Sequence, residues 1–366
     1  DVFRRPGVAP MMLAGFLGRL PMGMVGLGLT LLIVGQSGSY ALAGAVAATL
    51  TISMAVLAPY NARVVDRIGQ TRAIPMLLAV HVTAFSFLAA AVTFGWPTSL
   101  WFALAAVAGL AAPSIGSMTR ARWVRIARSG TERSSAFAVE SVADELSFVI
   151  GPVIATSLAL AIAPSAPILL GMLAVTVGGL WLATQRRTAP PPGRSTGNPP
   201  PRGHIVRTPG LGALFAVMLA MGAMFGTLNV SVVAFGQSNA AEATGILLAA
   251  MSFGSLVSGV VLGAVARRWS LTNQVRLGTL TLTAAIIPLA FITAVPAFAI
   301  MAFVLGLNFS VVMIGAFGLA ERMSSRDRLT EGLALMGSGL ALGMAAGTSL
   351  SGIIIDAAGP SPSLAL

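Results

Sequence analysis

The 366-residue chain contains no cysteine, so disulfides and thiol chemistry are excluded. It also contains no lysine: all 22 basic residues are arginine. Charge of either sign is scarce, at 9% of residues, where soluble domains carry roughly a quarter. Only two histidines are present, and no His/Glu or His/Asp spacing suits a metal. There is no phosphate-binding glycine loop and no nucleophile beside a base. These absences argue against an enzyme, and no cofactor or metal is expected.

What remains is apolar. Hydrophobic residues make up 56% and the mean hydropathy is +0.89. The 41 glycines suit closely packed membrane helices, whose interfaces favour small residues. Crossing the hydrocarbon core takes about 20 apolar residues. Eleven stretches qualify: 9–34, 40–65, 73–95, 99–121, 136–162, 166–184, 211–235, 243–266, 274–295, 297–319 and 331–355.

The net charge of +11 is not a nucleic-acid patch, because the arginines recur in alternate connections. They cluster at Arg4 and Arg5, Arg63 to Arg72, Arg120 to Arg133, Arg186 to Arg207, Arg267 to Arg276, and Arg322 to Arg328. The intervening connections, "GQSGS", "FGWPTS", "APSA", "GQSNAAEA" and "AVP", hold none. Positive loops stay cytoplasmic. The expected topology is therefore multi-pass with a cytoplasmic N-terminus, in a bacterial cytoplasmic membrane. The Pro- and Arg-rich segment 186–210 reads as a flexible cytoplasmic linker. It divides an N-terminal six-helix half, 1–185, from a C-terminal half, 211–366. Five spans are expected in the second half, with a sixth expected to be cut off just as it begins at "PSPSLAL". The halves echo each other: "ARVVDRIG" after the second span matches "GAVARRWS" after the eighth. Internal repeats of this kind place substrate between halves at the midplane.

The stretch "ARVVDRIGQTR", residues 62–72, resembles the signature loop of the major facilitator superfamily. Asp66, Arg67 and Gly69 match its pattern, and Arg72 stands near its last basic position; Ala62 and Gln70 depart from it. The resemblance implies an all-α integral membrane fold of two six-helix halves. It also implies a gating role for this loop, with Asp66 latching onto the N-terminus of the span that starts near Thr330. Gly151-Pro152 resembles the core of the motif found in drug:proton antiporters, without most of its flanking glycines. Its physical role would be a kink with close packing.

"ESVADELSFVIGP", residues 140–152, places Glu140, Asp144 and Glu145 in an otherwise apolar span. Carboxylates are costly inside a bilayer and mark function. Asp144 and Glu145 stand roughly 12–14 Å into that span at about 1.5 Å per residue. Arg19, in "FLGRLPMGM", lies at matching depth in the first span, so an ion pair with Asp144 or Glu145 is expected. One acid would pair while the other binds a proton; the alternative is a purely structural bridge. Glu140, one turn shallower, is expected to meet loop arginines. His81 reads as a packed helix residue.

Candidate cavity residues are Met22, Met221, Met224, Asn229, Asn308 and Met313. A cavity with so little charge suits small amphipathic or lipophilic compounds. The sequence therefore points to a proton-coupled exporter working by alternating access, as a monomer, with small-molecule substrate, protons and membrane lipids as partners and no nucleic acid. An importer, a sugar or metabolite exporter, and a lipid flippase stay open as alternatives of the same fold.

Overall fold

The computed structural model describes residues 2–192, 210–239, 241–265, 270–292, 294–323 and 329–359. Most of the linker, and the Arg267, Arg268, Arg326 and Arg328 of the expected cytoplasmic loops, lie outside them. Among the described residues thirteen α-helices run in order: α1 Val8–Arg19, α2 Pro21–Ser37, α3 Tyr40–Ile68, α4 Gln70–Thr93, α5 Thr98–Leu110, α6 Ile115–Ile126, α7 Gly130–Ala161, α8 Ala166–Thr184, α9 Leu211–Asn239, α10 Thr244–Val265, α11 Leu271–Ile286, α12 Val295–Met323 and α13 Leu329–Ala358. No strand occurs among the described residues.

Ten helical stretches among these residues are long and apolar enough to cross a membrane, so the chain is a multi-pass membrane protein. Proline explains where the expected spans differ. The first is divided at Leu20 into α1 and α2, with Pro21 opening the second piece. The fourth is interrupted around Pro113 into α5 and α6. The expected ninth span, 274–295, is α11 followed by a tighter 3-10 turn at Ile287–Phe291 containing Pro288, and no single α-helix covers it. A proline removes a helix donor and clashes with the preceding turn.

The chain forms two compact units. The first contains residues 1–36 and 53–196, the second 37–52 and 197–366. The helix α3 is therefore shared: its first part, up to Ile52, packs within the second unit.

In the first unit α1 packs against α6, α7 and α8, and α4 packs on α5 and α8. Glycine permits the closest approaches. A Cβ on Gly151 of α7 would stand 2.7 Å from the Cα of Gly23 in α2, so no larger residue fits there. The helix α7 continues without a break through Pro152.

In the second unit α9 packs on α13, and α12 packs on α10, α11 and α13. Gly343 and Gly347 of α13 face the backbone of Leu219 and Ala223 in α9 with no room for a side chain. Gly222 and Gly226 return the same contact from α9. Without a hydrophobic drive between helices in lipid, such backbone approach is what binds them. Ser231 and Ser351 add a hydroxyl pair across it at 3.1 Å.

Candidate functional site

Arg19 closes α1, and its side chain is 2% exposed. A cation in a last turn suits the helix dipole. Gly15 and Gly116 make room for it: a Cβ at Gly15 would sit 3.4 Å from Nη2, and one at Gly116 3.6 Å from Nε. Arg19 Nη2 donates to Glu140 Oε2 and to Thr119 Oγ1. Its Nη1 donates to Asp144 Oδ1 at 3.1 Å and to the Glu140 carbonyl at 3.2 Å.

Glu140 is the buried centre of this network, not a residue facing loop arginines. Its side chain is 3% exposed. The Trp123 indole N–H donates to Oε1 at 2.7 Å, and the Thr119 hydroxyl donates to Oε2 at 2.6 Å. Thr119 and Trp123 are one turn apart on α6, so both reach the same carboxylate. Phe3 covers Trp123 edge-on, with ring centroids 5.7 Å apart.

Asp144, one turn along α7 from Glu140, is shared. Its Oδ2 accepts from Arg120 Nη2 at 2.6 Å while Oδ1 faces Arg19. It is 23% exposed and Arg120 37%, so this half of the network meets solvent where the Glu140 half does not. Glu140 is thus the sealed counter-charge of Arg19 and Asp144 the partly exposed one. The structure thus joins Arg19 and Asp144. Glu145, the next residue of α7, is half-buried.

A second buried arginine lies on α6. Arg122 is fully buried. It donates through Nε to Gln70 Oε1 at 2.7 Å, through Nη2 to the Leu182 carbonyl at 2.8 Å, and through Nη1 to the Gln185 carbonyl and Thr188 Oγ1 at 3.0 and 2.8 Å. Leu182 and Gln185 end α8, where carbonyls lack helical partners. Arg122 therefore caps α8 and fastens the start of the linker to the first residue of α4.

The loop between α3 and α4 adjoins this anchor. Gly69 has φ 82°, a conformation that disfavours side chains. Asp66, Arg67 and Arg72 are exposed. Asp66, Gly69, Gln70, Ala121, Val124, Pro190 and Pro191 line a cavity of about 270 Å³.

The remaining candidates are dispersed. Met22 is exposed on α2. In the second unit Met221 is buried, Met224 and Met313 half-buried. Asn229 donates to the Phe225 carbonyl of its own helix, and Asn308 to Val304. Asn308 also accepts from Thr281 of α11 at 2.6 Å. His81 contacts the Ala108 carbonyl at 2.8 Å, consistent with a packed residue.

Sequence reasoning missed Glu140, Thr119, Trp123 and Arg122 as network members. A polar Thr119 and an indole one turn apart, in a helix with three arginines, was the available signal.

The sequence profile of the Major Facilitator Superfamily matches residues 11–295 and 239–366. The chain belongs to the major facilitator superfamily. Solved structures share this major facilitator fold at low identity. The human organic anion transporter MFSD10 (TETRAN) superposes with TM-score 0.66 at 17% identity, covering 99% of this chain and 96% of its own. The nucleoside transporter NupG, in a point-mutant form, gives TM-score 0.78 at 12% identity over 98% and 95%. A bacterial homolog of the human lysosomal transporter Spinster, inward-facing and unoccupied, gives 0.66 at 14% over 96% and 82%. No curated protein sequence matches the chain.

Proposed function

We infer that this major facilitator protein is a secondary transporter, a proton-coupled exporter of small amphipathic or lipophilic compounds by alternating access. The observation that carries the reading is Asp144, a partly exposed carboxylate within an apolar helix, bridging one buried and one accessible arginine. Intramembrane acids of this kind mark ion pathways. A proton arriving at Asp144 removes the charge that holds Arg120 to α7 and leaves Glu140 as the one carboxylate on Arg19. The packing of α1 on α7 then holds through Glu140 while Arg120 is freed from α7. Small-molecule cargo is in line with two of the similar structures, an organic anion transporter and a nucleoside transporter.

Arginine placement supports a cytoplasmic N-terminus and linker in a bacterial cytoplasmic membrane. Asp66, with Arg67, Gly69 and Arg72, is assigned to a cytoplasmic gate that closes on the N-terminus of α13. Gly151-Pro152 is assigned to helix packing during gating.

The deciding experiment is flux in proteoliposomes under an imposed pH gradient, across a panel of amphipathic compounds. Asp144→Asn should lose gradient-driven flux and retain substrate binding. Full gradient-driven flux in Asp144→Asn would make the network purely structural.

A further inference from the structure

Asp356 stands two residues before the end of α13, and Asp66 two residues before the end of α3. An acid in a last turn opposes the dipole of its own helix. Its own helix therefore does not explain either position. Asp356 serves a different helix. Its Oδ1 accepts the Tyr40 N–H at 2.8 Å, and Oδ2 accepts the Ala41 N–H at 2.9 Å and the Ser39 hydroxyl at 2.6 Å. These two amides are the first of α3, where donors lack helical partners and the dipole favours an anion. The carboxylate comes from 316 positions away along the chain from Tyr40.

The surrounding surfaces fit. Gly352 lies against the Tyr40 backbone, and Gly44 against that of Thr348. The Tyr40 side chain packs on Val230, Ala234 and Ile355.

Two features separate this contact from a permanent staple. The helix α3 already has a local cap, because Ser39 Oγ accepts the Leu42 N–H at 3.1 Å. The bonds to Asp356 are also exposed, so water can replace the carboxylate at both amides. The contact is specific through three donors, yet the helix does not need it. The helix it holds is the one divided between the two compact units at Ile52.

We propose that Asp356 is a releasable latch that keeps the first part of α3 on α13 in this conformation and lets go when the transporter converts to its alternate state. The idea rests on the alternating-access reading.

The absence of cysteine makes a direct test simple. Val230, 2% exposed beneath Tyr40 and on a different helix from the carboxylate, is replaced by cysteine in the full chain. Labelling by a small maleimide is timed in lipid nanodiscs. The single variant should label slowly. Adding Asp356→Ala should speed labelling roughly fivefold or more, the factor set by losing about one modest interaction. Adding Asp356→Asn should speed it less, since the amide oxygen still accepts one N–H. An unchanged rate in folded Asp356→Ala overturns the latch. So does failure of both Asp356 variants to fold, which would make the contact a fixed staple. Faster labelling with no gradient-driven flux in the parent protein keeps the latch and rejects proton-coupled transport.

Discussion

Arg19 and Glu140, 121 positions apart in the chain, meet as a sealed ion pair with 2% and 3% of their side chains exposed. Asp144, one turn further along α7, touches the same guanidinium from the solvated side. One arginine thus has a sealed partner and a partly exposed one.

The sealed pair should show strong coupling. Arg19→Met alone leaves Glu140 charged and buried, which costs about 3–5 kcal/mol. Arg19→Met with Glu140→Gln should recover most of that loss. Arg19→Met with Asp144→Asn should recover less, because Asp144 still has Arg120. Thermal unfolding of the purified variants in detergent ranks the three. A Glu140 double variant no more stable than Arg19→Met would remove the pair from this role.

Arg122 should govern the start of the linker. Arg122→Met strands the buried Gln70 Oε1, at about 1–3 kcal/mol for a buried group left unpaired. It also leaves the Leu182 carbonyl only the Gln185 N–H at 3.2 Å and the Gln185 carbonyl only the Thr188 hydroxyl at 3.3 Å. Arg122→Lys should rescue little, since a point-like ammonium cannot span Gln70, Thr188 and two carbonyls at once. Both variants should be cut faster by trypsin after Arg187, next to the anchored Thr188. Equal cleavage rates in variant and parent would mean that Arg122 does not hold this segment.

Glycine substitutions should divide by neighbour, not by helix. Gly151→Val forces its Cβ onto the Gly23 backbone and should lower stability by at least about 1–3 kcal/mol. Gly337→Ala, with nothing within 4 Å of the added carbon, should leave it unchanged or slightly raised. Melting temperatures of the two against the parent decide. Equal values would contradict the close approach of α2 and α7.

Glu132 should give the protein an acid-sensitive element at the start of α7. Its carboxyl is held below the usual range first by the Arg128 backbone N–H, which donates at 2.7 Å, and also by Arg5 at 2.6 Å. Because the folded value is the depressed one, the stabilisation is complete above the ordinary value of 4.5 and fades as pH falls through the folded value. The melting-temperature gap between parent and Glu132→Gln should therefore be present at pH 7 and shrink below about pH 4.5. A gap independent of pH would show that the charge of Glu132 is not involved.

Much of this protein was legible in its residues. Long apolar runs fixed membrane helices because a spanning segment must satisfy its own backbone. The "ARVVDRIGQTR" loop pointed to the family, and the scarcity of intramembrane charge singled out Arg19 with Asp144 and Glu145. The breaks at Pro21, Pro113 and Pro288 were written in the sequence too, but averaging over a span hid them.

Depth along a helix, however, is all that counting residues can supply. It placed Arg19 level with Asp144 and Glu145 and set Glu140 aside as too shallow. Which acid meets the guanidinium depends on helix rotation, on the space left by Gly15 and Gly116, and on Thr119 and Trp123 arriving from α6. Thr119 lies 100 positions from Arg19 and Trp123 further still, and no local pattern records their meeting. The same holds for Asp356. Its sequence neighbours place it at a helix end, and only the crossing of α3 on α13 brings the Tyr40 and Ala41 amides to it. Sequence determined which segments enter the membrane and which charges go with them, because transfer from water is a property of each segment alone. Tertiary structure decided which charge faces which donor, because that is a property of how helices pack.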